Sequence, residues 1–320
     1  MRVVERLRRL PGLAWCRELP PAAGGAVLAP GILSVGLHLI GREALSLAAL
    51  AVAGALWLLL AFAFTCRLVC DRPRFRAAAY TPAALTAVAA TAVLGSRISM
   101  LGRQTAAAAL LALAAALWPG LTFAVMRHWK RQMAGAVFLV CVATQGLAVL
   151  AATLALAGLG DWLARAALAA FCLGLFFYGD AFTRFDLREV VRGAGDHWVA
   201  GGALAISALA GSKLTAVPWT GPLPTALHWA TLAALALALA WYVLLLAAEL
   251  RSWRPHYELR RWATVFPLGM TATACLSAAG PTGVGWLFRW GEVLLWIAVG
   301  AWLLTFAAFA ALAVTRPGGR

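Results

Sequence analysis

The residues of this chain with chemistry to offer are few and widely spaced. Five histidines, six cysteines and twelve acidic residues are spread over 320 positions. None is grouped as a Ser-His-Asp set, a phosphate-cradling glycine loop or a metal cluster, so neither catalysis nor a bound metal or cofactor is expected. Cys66 and Cys70 stand four apart at the end of an apolar run. With Cys16, Cys141, Cys172 and Cys275 they are expected to be free thiols packed as small hydrophobes. His38 and His228 lie near outer boundaries of apolar runs, while His128, His197 and His256 fall in loops. A haem held by the outer pair, as in a quinone-linked membrane anchor, is the weakest functional reading. Glu292, three residues after Arg289, is placed to pair with it on one helical face.

The remaining signal is a set of cations at helix ends. Gly95-Ser96-Arg97 and Gly211-Ser212-Lys213 close two apolar runs in the same way, and His38 stands near the end of another. Arg97, Lys213 and His38 together suit an outer vestibule that gathers anions by focusing a positive field. Snorkelling of Arg and Lys to lipid headgroups is the competing account. These same runs carry no fixed charge at mid-depth. A buried cation would hold an anion too tightly for conduction, so an apolar or hydroxyl-lined bore with a positive mouth suits small anions. A proton-coupled carrier would need an acidic or histidine relay inside the membrane, and none is visible on these runs.

The elements that must position these residues are membrane helices. Hydrophobic residues make up 63% of the chain and charged residues 12%, with mean hydropathy +0.84. A soluble domain carries about a quarter charged residues, so soluble enzymes and nucleic-acid binders are excluded despite a net charge of +15 and a pI near 11.1. A helix needs about 20 apolar residues to span a bilayer core. Ten stretches qualify: 21–40, 44–66, 79–96, 104–126, 134–158, 162–179, 198–217, 224–248, 262–280 and 286–314. Residues 1–18 have no apolar signal-peptide core; Leu7, Leu10 and Leu13 recur among arginines as a short interfacial helix would. Residues 19–315 then form one transmembrane domain, and 316–320 a short tail. Ends this short leave little room for control by phosphorylated tails. Of the 27 Lys and Arg residues, 21 fall on one set of alternating loops and six on the other. By the positive-inside rule both termini face the cytoplasm of a plasma (inner) membrane, and the spans form five hairpins. The positive charge is thus topological.

Odd and even spans differ in composition. Even spans are Leu-, Ala-, Trp- and Phe-rich and read as lipid-facing, with Trp118, Trp129, Trp162 and Trp229 as an interfacial belt. Odd spans carry small, polar and helix-weakening residues, among them Pro30, Gly31, Pro82, Gly146, Gly202, Pro267 and Gly269. Two accounts compete. Small residues let membrane helices approach closely. Pro and Gly also kink helices and free carbonyls, which is tolerated where backbone lines a cavity. Because all five odd spans share the feature, they are expected to ring a pore inside five outer helices, an all-α polytopic fold.

Several segments resemble one family in order along the chain: Leu19-Pro-Pro and Gly31-Ile-Leu-Ser34, Thr144-Gln-Gly146, Trp198 through Ser207, and above all Arg261-Trp-Ala-Thr-Val-Phe-Pro-Leu-Gly-Met270. These resemble the tellurite-resistance/C4-dicarboxylate transporter family, which includes fungal malate and sulfite transporters and plant slow-type anion channels. The resemblance covers roughly residues 18–315. It implies a homotrimer with one pore per protomer, five inner helices within five outer ones, and a phenylalanine of the fifth inner helix plugging the bore, here Phe266. The permeants implied are inorganic or small organic anions. A channel and a proton-coupled carrier for C4-dicarboxylates, sulfite or tellurite both remain open.

Overall fold

The structure, a computed structural model, describes residue 19 and residues 21–192, 195–251 and 262–315. The segment carrying Leu7, Leu10 and Leu13 and the tail at 316–320 lie outside the described residues, as do Arg254, His256, Arg260 and Arg261. Among the described residues regular structure is helical, apart from one bridge between Met133 and Phe185. Ten long helices follow one another: α1 (Gly25–Leu39), α2 (Glu43–Cys70), α3 (Thr86–Met100), α4 (Gln104–Met126), α5 (Leu139–Leu156), α6 (Asp161–Arg184), α7 (Val199–Thr215), α8 (Leu223–Arg251), α9 (Trp262–Ala279) and α10 (Trp286–Thr315). Short helices at Arg72–Ala79 and Glu189–Arg192 lie between them.

The ten elements coincide with the ten expected stretches to within a few residues. The largest departure is the start of α3, at Thr86 after a 3-10 turn instead of near 79; next is α6, which runs on to Arg184 instead of stopping near 179. Its last turn is polar, but Arg184 Nη2 donates to Asp180 Oδ1 at 3.0 Å, an i,i+4 pair that supports helix beyond the apolar run. Nine of the described helices are long and apolar enough to cross a membrane. α7, with 17 residues and Gly, Ser and Lys among them, falls below that measure. Its place in the packing makes it the tenth.

α1 packs on α3, α3 on α5, α5 on α7, α7 on α9, and α9 back on α1. Because every connection is a hairpin, these five helices run parallel and close a ring. Each even helix packs on its own hairpin partner and also touches the next inner helix round, so that α2 reaches α3 and α10 reaches α1. The burial follows the layers. Membrane-length windows on α1, α3, α5 and α9 are 78–100% buried, against 11–33% for the five even helices. The small residues of the odd helices are what allow this enclosure.

Two hydrogen bonds repeat across the seams. Trp57 Nε1 of α2 donates to Thr91 Oγ1 of α3 at 2.9 Å, and Trp118 Nε1 of α4 donates to Thr144 Oγ1 of α5 at 2.9 Å. Each Trp lies fourteen residues into its helix and each Thr five into its own, so the bonds sit at equivalent points of the repeat. Trp118 is therefore a cross-helix donor and not part of an interfacial belt. Trp129 likewise packs inward, beneath the Arg184 guanidinium 4.9 Å from its ring centre. Trp162 and Trp229 are 65% and 64% exposed, as belt residues should be. The expected Arg289–Glu292 pair does not form among the described residues.

Among the described residues, four inner helices begin with a 3-10 turn: Pro21–Gly24, Pro82–Leu85, Gly135–Phe138 and Asp196–Trp198. Two of these turns cross at Gly135. A Cβ there would lie 2.5 Å from His197 Cα and closer still to the Asp196 carbonyl oxygen, so backbone rather than a movable side chain bars any substitution. Gly135→Ala is expected to destabilise the protein by about 1–3 kcal/mol or to abolish folded yield, as overpacking does. Gly120→Ala, where nothing lies within 4 Å, is the control. Thermal unfolding of the two purified variants against wild type makes the measurement.

Candidate functional site

The five inner helices begin at one end of the ring, and there the structure opens a cavity of about 260 Å³. Each helix gives its wall two residues three apart: Gly25 and Leu28, Ala83 and Thr86, Ala136 and Leu139, Asp196 and Val199, Ala263 and Phe266. Three residues is most of a helical turn, so each pair marks one axial stripe. The first members are small except for Asp196. The second members form a bulkier ring of Leu28, Thr86, Leu139, Val199 and Phe266. Phe266 is the largest of them and 2% exposed.

Further along the same stripes the axis holds only a void of about 10 Å³. That is roughly the space for one water. Val35, Val93, Gly146 and Ile206 line it, each seven residues beyond its helix's member of the bulky ring. Ser96, Val149 and Leu209 follow at ten residues, and Met100 and Lys213 at fourteen. Ile32 and Met270, one turn beyond Leu28 and Phe266, complete the wall. Apart from Ser96 and Lys213 these linings are apolar. The axis thus narrows from a wide mouth, through the bulky ring, to a tight apolar passage with one lysine at its far end.

This register separates Arg97 from Lys213. The matching Gly-Ser-Arg and Gly-Ser-Lys triplets suggest equivalence, but Lys213 occupies the level of Met100, and Arg97 falls on another face of α3. Arg97 is wholly buried. Its Nη2 donates to Glu43 Oε1, and its Nε donates to Ser46 Oγ at 2.9 Å. Ser46 and Ser34 are locked together, each hydroxyl donating to the other's carbonyl at 2.7 Å. His38 Nδ1 lies 2.6 Å from the second oxygen of Glu43. One carboxylate therefore ties α1, α2 and α3 together at this end. Arg97 and His38 spend their interactions on it, and neither lines the axis. Of the three expected vestibule residues, Lys213 is the one the structure places on the axial stripe. All three stand in last turns of inner helices, where a cation also offsets the partial negative charge of the free carbonyls.

The prolines and glycines divide similarly. Pro30 and Pro267 lie inside α1 and α9. Pro267 has no N–H for the carbonyl of Ala263, a residue of the mouth. Pro82 does not interrupt a helix; it starts the turn before α3, where a missing N–H costs nothing. Gly31, Gly202 and Gly269 are close-approach points. A Cβ at each would come within 3.1 Å of Val93, 2.9 Å of Pro267 and 3.0 Å of Ile32, respectively. Gly146 serves both needs, lining the passage and leaving room for Ala92, which an added Cβ would approach to 3.2 Å.

Sequence reasoning missed Asp196, Glu43 and Ser46. Asp196 precedes its apolar run and looks like a loop residue, while Glu43 begins a helix that was read as lipid-facing. The signal for Asp196 was available: it stands three residues before Val199, as Ala263 does before Phe266.

The sequence model of a family described as voltage-dependent anion channel, SLAC1, matches residues 18–310 of the chain. A comparison with curated proteins returns no match.

The Arg97 cluster makes a measurable prediction. Glu43→Gln strands a wholly buried guanidinium and should lower the thermal midpoint sharply, since an uncompensated buried charge is costly. Arg97→Met removes the charge itself and should cost less. Adding Arg97→Met to Glu43→Gln should restore part of the loss, and strictly additive midpoints would contradict the pairing.

Proposed function

The chain belongs to the SLAC1 family of voltage-dependent anion channels, and on that premise we propose that it passes small anions through a bore in each protomer, held shut at Phe266. The family and the apolar helices make it a multi-pass membrane protein with anion channel or transporter activity. The observation that carries the finer reading is the bulky ring of Leu28, Thr86, Leu139, Val199 and Phe266. It stands between a roomy mouth and a passage of about 10 Å³, and all five inner helices contribute to both. A phenyl ring across so narrow an apolar bore blocks hydrated ions by sterics and dewetting.

The distribution of Lys and Arg puts the mouth on the cytoplasmic side of a plasma membrane, with both termini there. Lys213 then draws anions to the far end of the passage, where no ion pair among the described residues holds it. The permeants are inorganic or small organic anions, and the family resemblance carries over a homotrimer whose protomers conduct independently. Among the described residues the linings of both cavities carry no histidine, and no acid beyond the mouth, which favours a channel over a proton-coupled carrier of dicarboxylates, sulfite or tellurite.

Anion flux into proteoliposomes under an imposed voltage, then an imposed pH gradient, tests the proposal. Phe266→Ala is expected to raise voltage-driven flux severalfold with no need of the pH gradient. Uptake that requires the gradient and falls in the variant would replace the channel by a coupled carrier. Lys213→Gln should reduce voltage-driven flux on the order of tenfold at low ionic strength and little at high salt, because focused fields are screened. Equal reduction at both salt levels would mean that Lys213 acts by packing.

A further inference from the structure

Four helices build one level of the mouth alike, with Gly25, Ala83, Ala136 and Ala263, and the fifth places Asp196 there. Packing does not ask for an acid at this level, since Gly or Ala fills it on every other helix. The fold nevertheless holds Asp196 firmly. Gly195 before it has φ of 123°, a conformation open to glycine, and the backbone of Gly135 crosses directly against the Asp196 carbonyl. The Asp196 Oδ1 atom is buried and has no hydrogen-bond partner among the described residues. An acid in the 3-10 turn that leads into α7 does gain from the helix dipole. A solvated position would give that gain without the cost of burying an unpartnered oxygen.

The charge has a larger consequence because of what surrounds it. All five inner helices point their N-termini at the mouth, each equivalent to about half a positive charge. Among the described residues lining the mouth, Asp196 alone carries a formal charge. Its carboxylate subtracts one unit from a field that would otherwise be strongly attractive to anions. Too strong an attraction traps an ion, and conduction needs release. Coulomb energies scale with the charge of the permeant, so the carboxylate repels a dianion twice as strongly as a monoanion at the same position.

We infer that Asp196 sets the valence of the permeating anion, reserving the mouth for monovalent anions over divalent ones. This rests on the anion-bore reading of the chain and narrows it to a substrate class. It makes Asp196 a selectivity residue, acting on the ion by field alone and not by coordination.

Chloride and sulfate fluxes under the same imposed voltage, in proteoliposomes of the full chain, provide the test. Wild type is expected to pass chloride well ahead of sulfate. Asp196→Asn should raise sulfate relative to chloride by roughly tenfold, while Asp196→Glu should keep the wild-type ratio. Asp196→Ala, the residue found at this level on three other helices, serves as the second neutral variant should Asn disturb folding. An unchanged sulfate-to-chloride ratio in both neutral variants, alongside flux that still rises in Phe266→Ala, would overturn the inference and leave the channel standing. Absence of flux of either anion in every protein, Phe266→Ala included, would overturn the channel reading and the inference with it.

Discussion

Close approach of helix backbones within the inner ring is the constraint from which the remaining features follow. Five parallel helices enclose a narrow axis only if each comes near two inner neighbours and leaves no gap that lipid could fill. In a bilayer core there is no water to drive this association, and tight packing must supply it. Hence Gly202 meets Pro267, Gly269 meets Ile32, and Gly31 meets Val93, each so close that an added methyl group would press on its neighbour. Hence also the outer helices, which lie over the seams and take the exposure to lipid that the inner helices cannot have. The apolar bore is a by-product of the same geometry. A ring of five small-residue helices leaves an axial space, and its width at each level is then set by one side chain per helix.

That rule of one side chain per level explains how so regular a scaffold supports an irregular axis. At the bulky ring four helices give Leu, Thr, Leu and Val, and α9 gives Phe266. One enlarged member is enough to close a space that is already narrow. At the mouth four helices give Gly or Ala, and α7 gives Asp196. At the far end α3 gives Met100 and α7 gives Lys213. The residues proposed to act on the anion are departures from the repeat, while the repeat is kept by the close contacts and by the paired Trp–Thr bonds at Thr91 and Thr144.

The sequence made the scaffold legible because its signals are local. Apolar length, loop charge and the alternation of small-residue with bulky spans each need only a window of some twenty residues. What it hid was the direction in which a side chain points. Gly95-Ser96-Arg97 and Gly211-Ser212-Lys213 look equivalent, yet their helices meet the axis three residues out of step. One cation lines the passage, and the other is buried against Glu43. Trp118 had the composition of an interfacial residue and turned inward to Thr144. Counting from the 3-10 turns, rather than from the ends of the spans, would have placed Arg97, Lys213 and Asp196 on their proper faces.

The charges along the axis then form a consistent pattern. The parallel inner helices bring five N-termini to one end and five C-termini to the other, so the bundle itself is positive at the mouth and negative at the far end. The charges that line the axis oppose that polarity at both ends. Asp196 stands among the N-termini, while Lys213 stands in the last turn of α7. An uncorrected helix field would attract an anion strongly into the mouth and then repel it from the exit. Moderating both ends flattens that profile along the bore. A flat profile suits a passage whose control is steric, because a side chain that swings aside can then admit an ion with no electrostatic trap behind it.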